Sequence, residues 1–363
     1  MSDNLEHEVI KVRPTQLLSM LLSLWLLVAC SSGTEILGTD SREDASNDPQ
    51  DSLALPKLEP IPSGGDPLQV VATTGIVGDV VAQIAGSDAA LSVLMAPEQD
   101  PHGYQATAGD LRQAADADVI FVNGWGLEEG LLDDLGNAAD GTALAPVSAG
   151  LEPRYFDDDT AGGGQEGKDI HSEQLRIDPH VWLAPSNVVA WVKNIEEVLG
   201  TLDPGNAPRY AKRARAYESE LTALDNYYEQ MLAPVAPGDR VLVTNHDAFG
   251  YFADAYKFNV VGTIVSGDST LSEPSSRDLA SLSQSMREGQ ICAIFVERSA
   301  SQQLAEQLAG ELDHCENVKI VTLYSGALGA EGSGAETYLQ MMRANIDAIA
   351  DSLPKSASES NGG

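Results

Sequence analysis

Basic residues are scarce in this chain. Its 363 residues include 21 Lys and Arg against 55 Asp and Glu, a formal charge of −34. Nucleic-acid binding needs a cationic face for phosphates, so that class is excluded. Docking to an anionic membrane surface by charge is disfavoured for the same reason. Cysteine and histidine are also rare, at three and six residues. The apolar run from Leu17 to Ala29 spans 13 residues, short of the ~20 that a mature membrane-spanning helix needs. What is present suffices for a large core: hydrophobic residues make up 43% and charged residues 21%, which argues against wholesale disorder. At ~100–200 residues per domain, the length suggests two domains. The acidity itself is explained by solubility or a salty medium, and 13 Arg against 8 Lys lean toward the latter; it is also compatible with a protein that meets cations.

The N-terminus is expected to be a targeting segment over 1–29. Lys11 and Arg13 precede the apolar run and Cys30 follows it, which are the flanks of a secretory h-region. Leu27-Val28-Ala29-Cys30, followed by Ser31-Ser32-Gly33, resembles a bacterial lipobox, which implies lipidation at Cys30 and an extracytoplasmic body anchored to the cell membrane. The acidic lead Met1 to Ile10 is longer than such signals usually carry, which leaves a downstream start codon as an alternative. Residues 30–66 hold acids that include Glu35, Asp40, Glu43, Asp44, Asp48, Asp51 and Glu59, against Arg42 and Lys57. Such a segment buries too little apolar surface to offset its chain entropy, so it is expected to be a disordered acidic tether.

With Cys30 assigned to lipid, Cys292 and Cys315 remain, in an oxidising compartment. The expectation is a disulfide between them, closing 22 intervening residues; two separate buried thiols are the alternative.

From residue 68 short apolar runs alternate with helical stretches: strands at 68–73, 91–95 and 118–123, helices at 76–84, 110–115 and 127–135. Continuous apolar strands separated by helices indicate a parallel sheet covered on both faces. The acidic, Gly-rich segment 152–176, with Asp157-Asp158-Asp159 and His171, breaks the pattern; it reads as a solvated loop, or as a weak ion-capture element. A helix at 187–199 follows. The stretch 206–232 then carries an apolar stripe at Tyr210, Ala214, Tyr217, Leu221, Leu224, Tyr228 and Met231. A helix of that length is about 40 Å long, enough to join two lobes. The pattern restarts with strands at 240–244, 259–265, 291–296 and 318–323 and helices at 249–256, 274–286, 304–312 and 337–353. The expected fold is therefore α/β: two lobes, each a mostly parallel sheet flanked by helices, joined by a long spine helix. The boundaries are an N-terminal lobe at 67–203, the spine at 204–234, a C-terminal lobe at 235–354 and a disordered tail at 355–363. No residue-level repeat relates the lobes.

Three of the six histidines share a setting. His102 lies in Asp100-Pro101-His102 after a strand, His180 in Asp178-Pro179-His180, and His246 directly after the strand at 240–244. Ligand sites in open α/β sheets lie at the carboxyl ends of strands, and three neutral imidazoles suit zinc. In each Asp-Pro-His, proline restricts the backbone and the aspartate is placed to bond the ring's other nitrogen. His314 reads as a surface residue.

Four segments carry a family resemblance: Asp100-Pro101-His102-Gly103-Tyr104-Gln105-Ala106-Thr107, Asp178-Pro179-His180-Val181-Trp182-Leu183, His246-Asp247-Ala248-Phe249-Gly250-Tyr251-Phe252 and Phe295-Val296-Glu297. Over roughly residues 68–353 the chain resembles the zinc and manganese solute-binding lipoproteins of bacterial ABC importers. The resemblance implies His102, His180 and His246 as metal ligands, a membrane permease as partner, and no enzymatic activity. Histidine at 246, where many manganese-type relatives carry Glu, favours zinc, with manganese or iron as the alternative. The family usually supplies an Asp where this chain has Gly326 in Leu323-Tyr324-Ser325-Gly326-Ala327-Leu328-Gly329. Candidates for the fourth donor are water, Glu331, Asp247 and Glu297, with water or Glu331 preferred. A monomer is expected, with a periplasmic metallochaperone as a candidate second partner. Two competing functions remain: a zinc hydrolase or hydratase with a His₃ site and an open position, and a lipoprotein for adhesion or metal storage.

Overall fold

The computed structural model describes residues 53–62, 65–138, 141–156, 176–265, 270–271, 275–298 and 302–355. The targeting segment with Cys30, the tether up to 52, residues 157–175 of the acidic loop with His171, and the tail from 356 lie outside the described residues.

The first lobe runs β1 (Leu68–Ala72), α1 (Gly75–Ala85), β2 (Ala89–Val93), α2 (Ala108–Ala115), β3 (Val119–Val122), α3 (Glu129–Ala138) and β4 (Ala143–Pro146). Its four strands are parallel in the order β2-β1-β3-β4. Every residue of β3, Val119-Ile120-Phe121-Val122, is buried, as a central strand covered on both faces requires. Helix starts follow local capping chemistry. The Thr74 hydroxyl accepts from Val77 N at α1, and Thr107 forms a capping box with Asp110 at α2, each satisfying amide groups that the first turn leaves unpaired. The strand β4 was not legible in the sequence. It has four residues, two of them Ala, and ends on Pro146, which only an edge strand accommodates.

Two helices follow, α4 (Pro185–Leu202) and α5 (Ala207–Leu232), the second with 26 residues. The second lobe runs β5 (Val241–Thr244), α6 (Gly250–Tyr256), β6 (Asn259–Thr263), α7 (Ser276–Glu288), β7 (Ala293–Glu297), α8 (Gln303–Glu311), β8 (Lys319–Leu323) and α9 (Tyr338–Ser352). Its strands are parallel in the order β6-β5-β7-β8. The two sheets thus share one topology without a visible sequence repeat. Cys292 and Cys315 are joined by a disulfide, as expected from the cysteine count.

The helix α5 is fastened at both ends. Arg213 donates to the carbonyls of Ile84 and Ala85 at 2.6 and 2.7 Å in the first lobe. The Tyr228 hydroxyl donates to Met342 O at 2.6 Å, and Tyr227 to Asp347 at 2.7 Å, both on α9. Its buried stripe matches the expected one except at the end, where Leu232 is buried in place of Met231. A strict seven-residue repeat drifts around a straight helix by ~20° per heptad, so the stripe steps on by one residue.

One apolar cluster runs from Val70 and Phe121 through Trp182, Trp191 and Tyr228 to Phe252 and Ile349, crossing both lobes. Direct bonds add to it: Trp182 Nε1 donates to Ser325 O at 2.7 Å, and the Tyr338 hydroxyl to Trp182 O at 2.6 Å. The helix α9 packs on α5 and α1 as well as on β8, so it belongs to the junction as much as to the second lobe.

The tether expectation is corrected for 53–62. Leu55, Leu58 and Ile61 pack against the main core, Ile61 N donates to Leu202 O at 2.9 Å, and Gly150 N donates to Leu53 O at 3.1 Å. The acids of the segment lie mostly upstream, while Pro56, Pro60 and Pro62 hold this part extended and present its apolar side chains.

Candidate metal centre

Each histidine is presented by a short turn whose backbone is held by a nearby side chain. His102 sits in the single 3₁₀ turn Pro101–Gly103 after β2, and Asp100 Oδ1 accepts from His102 N at 3.0 Å. Asp178 Oδ1 accepts from His180 N at 2.9 Å and lies 2.8 Å from His180 Nδ1. That second contact places the proton on Nδ1 and turns the Nε2 lone pair outward. His246 follows β5; the Thr244 hydroxyl donates to its carbonyl at 2.9 Å, and Glu297 Oε2 lies 3.3 Å from its Nδ1. The His180 and His246 rings thus each have a carboxylate near the far nitrogen.

The three Nε2 atoms converge. His180 Nε2 is 3.1 Å from His102 Nε2 and 3.4 Å from His246 Nε2, and the ring centroids are 5.2 to 5.5 Å apart. Two nitrogens bound to one tetrahedral zinc at about 2.0–2.1 Å stand roughly 3.4 Å apart, so these spacings fit a shared ion. His180 and His246 are buried and His102 is half-buried. Burial, and then the neighbouring His180 and His102, hold the His246 pKa well below the ordinary imidazole value. The ring is therefore neutral, with its lone pair available, at neutral pH.

Supporting residues not singled out in the sequence surround this trio. Arg154 Nη1 lies 3.6 Å from the other oxygen of Asp178. Asn123 Nδ2 donates to Pro179 O at 3.0 Å, fixing the turn that carries His180. The buried Glu128 accepts from Asn123 N at 2.7 Å and from the Thr73 hydroxyl at 2.6 Å, and burial raises its pKa. Nothing in the local sequence marks these residues, because their contacts to Asp178, Pro179 and Thr73 are made across many intervening positions.

The preferred protein candidate for the fourth donor is corrected. Glu331 is exposed and is not among the side chains gathered with the three histidines. The reason is local: Gly329 N donates to Ala335 O at 2.9 Å, closing a loop with Glu331 at its outer end. Glu297 serves the far side of His246 instead. Gly326 is buried against it: a Cβ added at Gly326 would lie 3.1 Å from Glu297 Oε1 and 3.1 Å from Pro101 Cδ. A pocket of about 10 Å³ lined by Glu297, Ser325 and Gly326 adjoins this point, room for about one water. His314, read as a surface residue, is half-buried, with Nε2 3.2 Å from Cys315 Sγ.

Two sheets of one topology, a fastened helical spine and a largely buried imidazole trio between the lobes define a solute-binding receptor whose cleft carries the donor set of a metal site. The chain belongs to the family described as ZnuA, zinc-uptake complex component A, periplasmic, whose model matches residues 70–352. It is 35% identical over 296 residues to the zinc-binding protein TroA of Treponema pallidum, covering 80% of this chain and 90% of that one. It is 34% identical over 293 residues to the manganese-binding lipoprotein MntA of Bacillus subtilis, covering 80% and 91%. Among solved structures, the periplasmic zinc-binding protein TroA from Treponema pallidum superposes with a TM-score of 0.68 at 35% identity, over 79% of this chain and 99% of that one. The Mn-bound periplasmic metal-binding protein from candidatus liberibacter asiaticus does so with a TM-score of 0.68 at 26% identity, over 79% and 99%.

Proposed function

We propose that this protein is an extracytoplasmic receptor that captures zinc on His102, His180 and His246 and delivers it to the membrane permease of an ABC importer. The observation that carries the reading is the convergence of three Nε2 atoms at 3.1 and 3.4 Å. An all-nitrogen set favours zinc over manganese, which prefers harder oxygen donors. Water completes the coordination beside Gly326. Zinc is cargo here, not a catalyst, and the reading takes the protein as a carrier and not an enzyme. The core shared by both lobes limits hinge opening, so capture and release involve small displacements at the cleft. Lipidation of Cys30 tethers the body as a monomer near its permease, and a periplasmic metallochaperone is a further partner in this reading.

Calorimetry on metal-free protein tests it: one zinc per chain is expected, with manganese bound more weakly in direct competition. Manganese bound in preference would move the assignment to the manganese-type receptors, and equal zinc binding by His102→Ala, His180→Ala and His246→Ala would end the reading. Hydration of carbon dioxide or ester turnover by the zinc-loaded protein would favour the hydrolase alternative.

A further inference from the structure

A second group of metal-ligating atoms lies at the opposite end of β7 from Glu297. Cys292 directly precedes that strand, and Cys315 and His314 lie in the turn after α8. Their ligand atoms fall within 4.8 Å of one another, and all three residues are half-buried. His314 Nε2 is 3.2 Å from Cys315 Sγ, while its Nδ1 is buried with no hydrogen-bond partner. The ring is thus oriented by the sulfur and by nothing at its second nitrogen. Cys292 also lines a cavity of about 380 Å³ with Gln290, Asn317, Lys319 and Pro354, so small molecules have a path to the disulfide.

The geometry points to a redox-gated second metal site: reduction of the Cys292–Cys315 disulfide turns this corner into a Cys₂His site for a thiophilic divalent cation of the zinc and cadmium class. A dithiol reductant supplies the two electrons. One of its thiolates attacks a cysteine sulfur, the Cys–Cys bond breaks, and a mixed disulfide forms; the second thiol then displaces the protein, leaving as the oxidised reductant. The two cysteines keep the two protons as thiols. The cation displaces those protons and binds two thiolates and the neutral His314 imidazole, so its two positive charges are matched by two negative ones. Two sulfurs bound to one zinc at about 2.3 Å stand roughly 3.8 Å apart. The 5.8 Å between the two Cα atoms leaves that separation within reach of side-chain rotation. Exchange with an oxidised small-molecule disulfide, which accepts the two electrons and leaves as two thiols, rejoins Cys292 to Cys315, removes both thiolates and expels the ion. Imidazole and thiolate together select a softer ion than the three-imidazole cleft does.

The test uses the full chain carrying His102→Ala and His180→Ala, so that the outcome does not depend on the cargo site, with cobalt(II) alone as the probe. After reduction, one equivalent of cobalt is expected to bind with thiolate-to-cobalt charge-transfer absorption, and the oxidised protein should show none. His314→Ala, which keeps both cysteines, should weaken that binding about tenfold or more, since loss of even an outer-shell partner has that effect. Circular dichroism should be unchanged by reduction. Absence of the charge-transfer band in the reduced protein would overturn the proposal. So would an unchanged affinity in His314→Ala, or a band that appears only with loss of the folded dichroism signal.

Discussion

Arg298 Nε lies 2.7 Å from Glu98 Oε1 across the two lobes. Glu98 adopts a left-handed backbone, φ 64°, and its amide donates to Leu328 O at 2.9 Å. The Arg298 guanidinium also stands 5.4 Å above the Tyr324 ring. A residue from each lobe therefore meets beside Glu297 and Gly326, and Glu98 does so in a backbone conformation that is uncommon for a non-glycine residue.

Removing this clasp should change kinetics more than stability. Both side chains are partly exposed, and such pairs contribute about 0–1 kcal/mol. Arg298→Ala is expected to leave the melting temperature nearly unchanged while speeding metal release to a chelator in stopped flow. An unaltered release rate would show that the pair does not restrain the cleft.

The carboxylates behind the rings should matter almost as much as the rings. Glu297→Gln and Asp178→Asn keep the shape and remove the charge that steadies each Nδ1 proton. Each should weaken zinc binding roughly 10–100-fold, read by competition with a chromophoric chelator. His180→Ala should be the most damaging single change, because its Nε2 is adjacent to both others.

Gly326→Asp adds an oxygen donor in a tight place. The new Cβ meets Glu297 Oε1 at 3.1 Å, so two carboxylates are forced together in the metal-free state. The variant should melt at a lower temperature without metal, recover on loading, and bind manganese better relative to zinc than the parent does. Competition calorimetry gives the ratio directly.

The pH dependence of the metal-free protein follows from His246. Its folded pKa is depressed, chiefly by burial, while the unfolded chain takes up its proton near ~6.5. Below that pH the unfolded state binds more protons than the folded one. Stability contributed at higher pH is thus progressively lost as pH falls from about 6.5 toward the folded pKa. Denaturant midpoints between neutral and mildly acidic pH should decline, and His246→Gln should flatten the decline.

Reducing the disulfide should destabilise the second lobe. Closing a sequence separation of 23 residues is worth about 3 kcal/mol in the chain-entropy model. Thermal unfolding with and without reductant measures the difference.

Much of this architecture is legible in the sequence. The β-strands read as continuous apolar runs because parallel sheets are covered on both faces, and α5 announced itself by its stripe from Tyr210 to Tyr228. The strand β4 did not, since Ala143-Leu144-Ala145-Pro146 has little strand character and is held by its neighbour β3. The ordered stretch 53–62 was hidden by its acidic surroundings. Within the centre, the two Asp-Pro-His turns marked His102 and His180, and position after β5 marked His246. Glu297 was visible only as one of several candidate donors. Arg154 and Asn123 were not visible at all, because they act on Asp178 and Pro179 from positions remote in the chain.

Composition and order along the chain pointed to the fold class and to a Cys292–Cys315 pairing, and together with the family resemblance to three candidate imidazoles, because burial pattern, turn chemistry and residue type are local properties. Only the packed structure decided that those rings face one another, that Glu297 backs His246 and does not join it, that Glu331 points to solvent, and that His314 leans on the disulfide. Such relations depend on separations of a few ångströms between segments tens to hundreds of residues apart. Those separations are set by how two sheets and a helical spine close around one core, and spacing in the sequence does not record them.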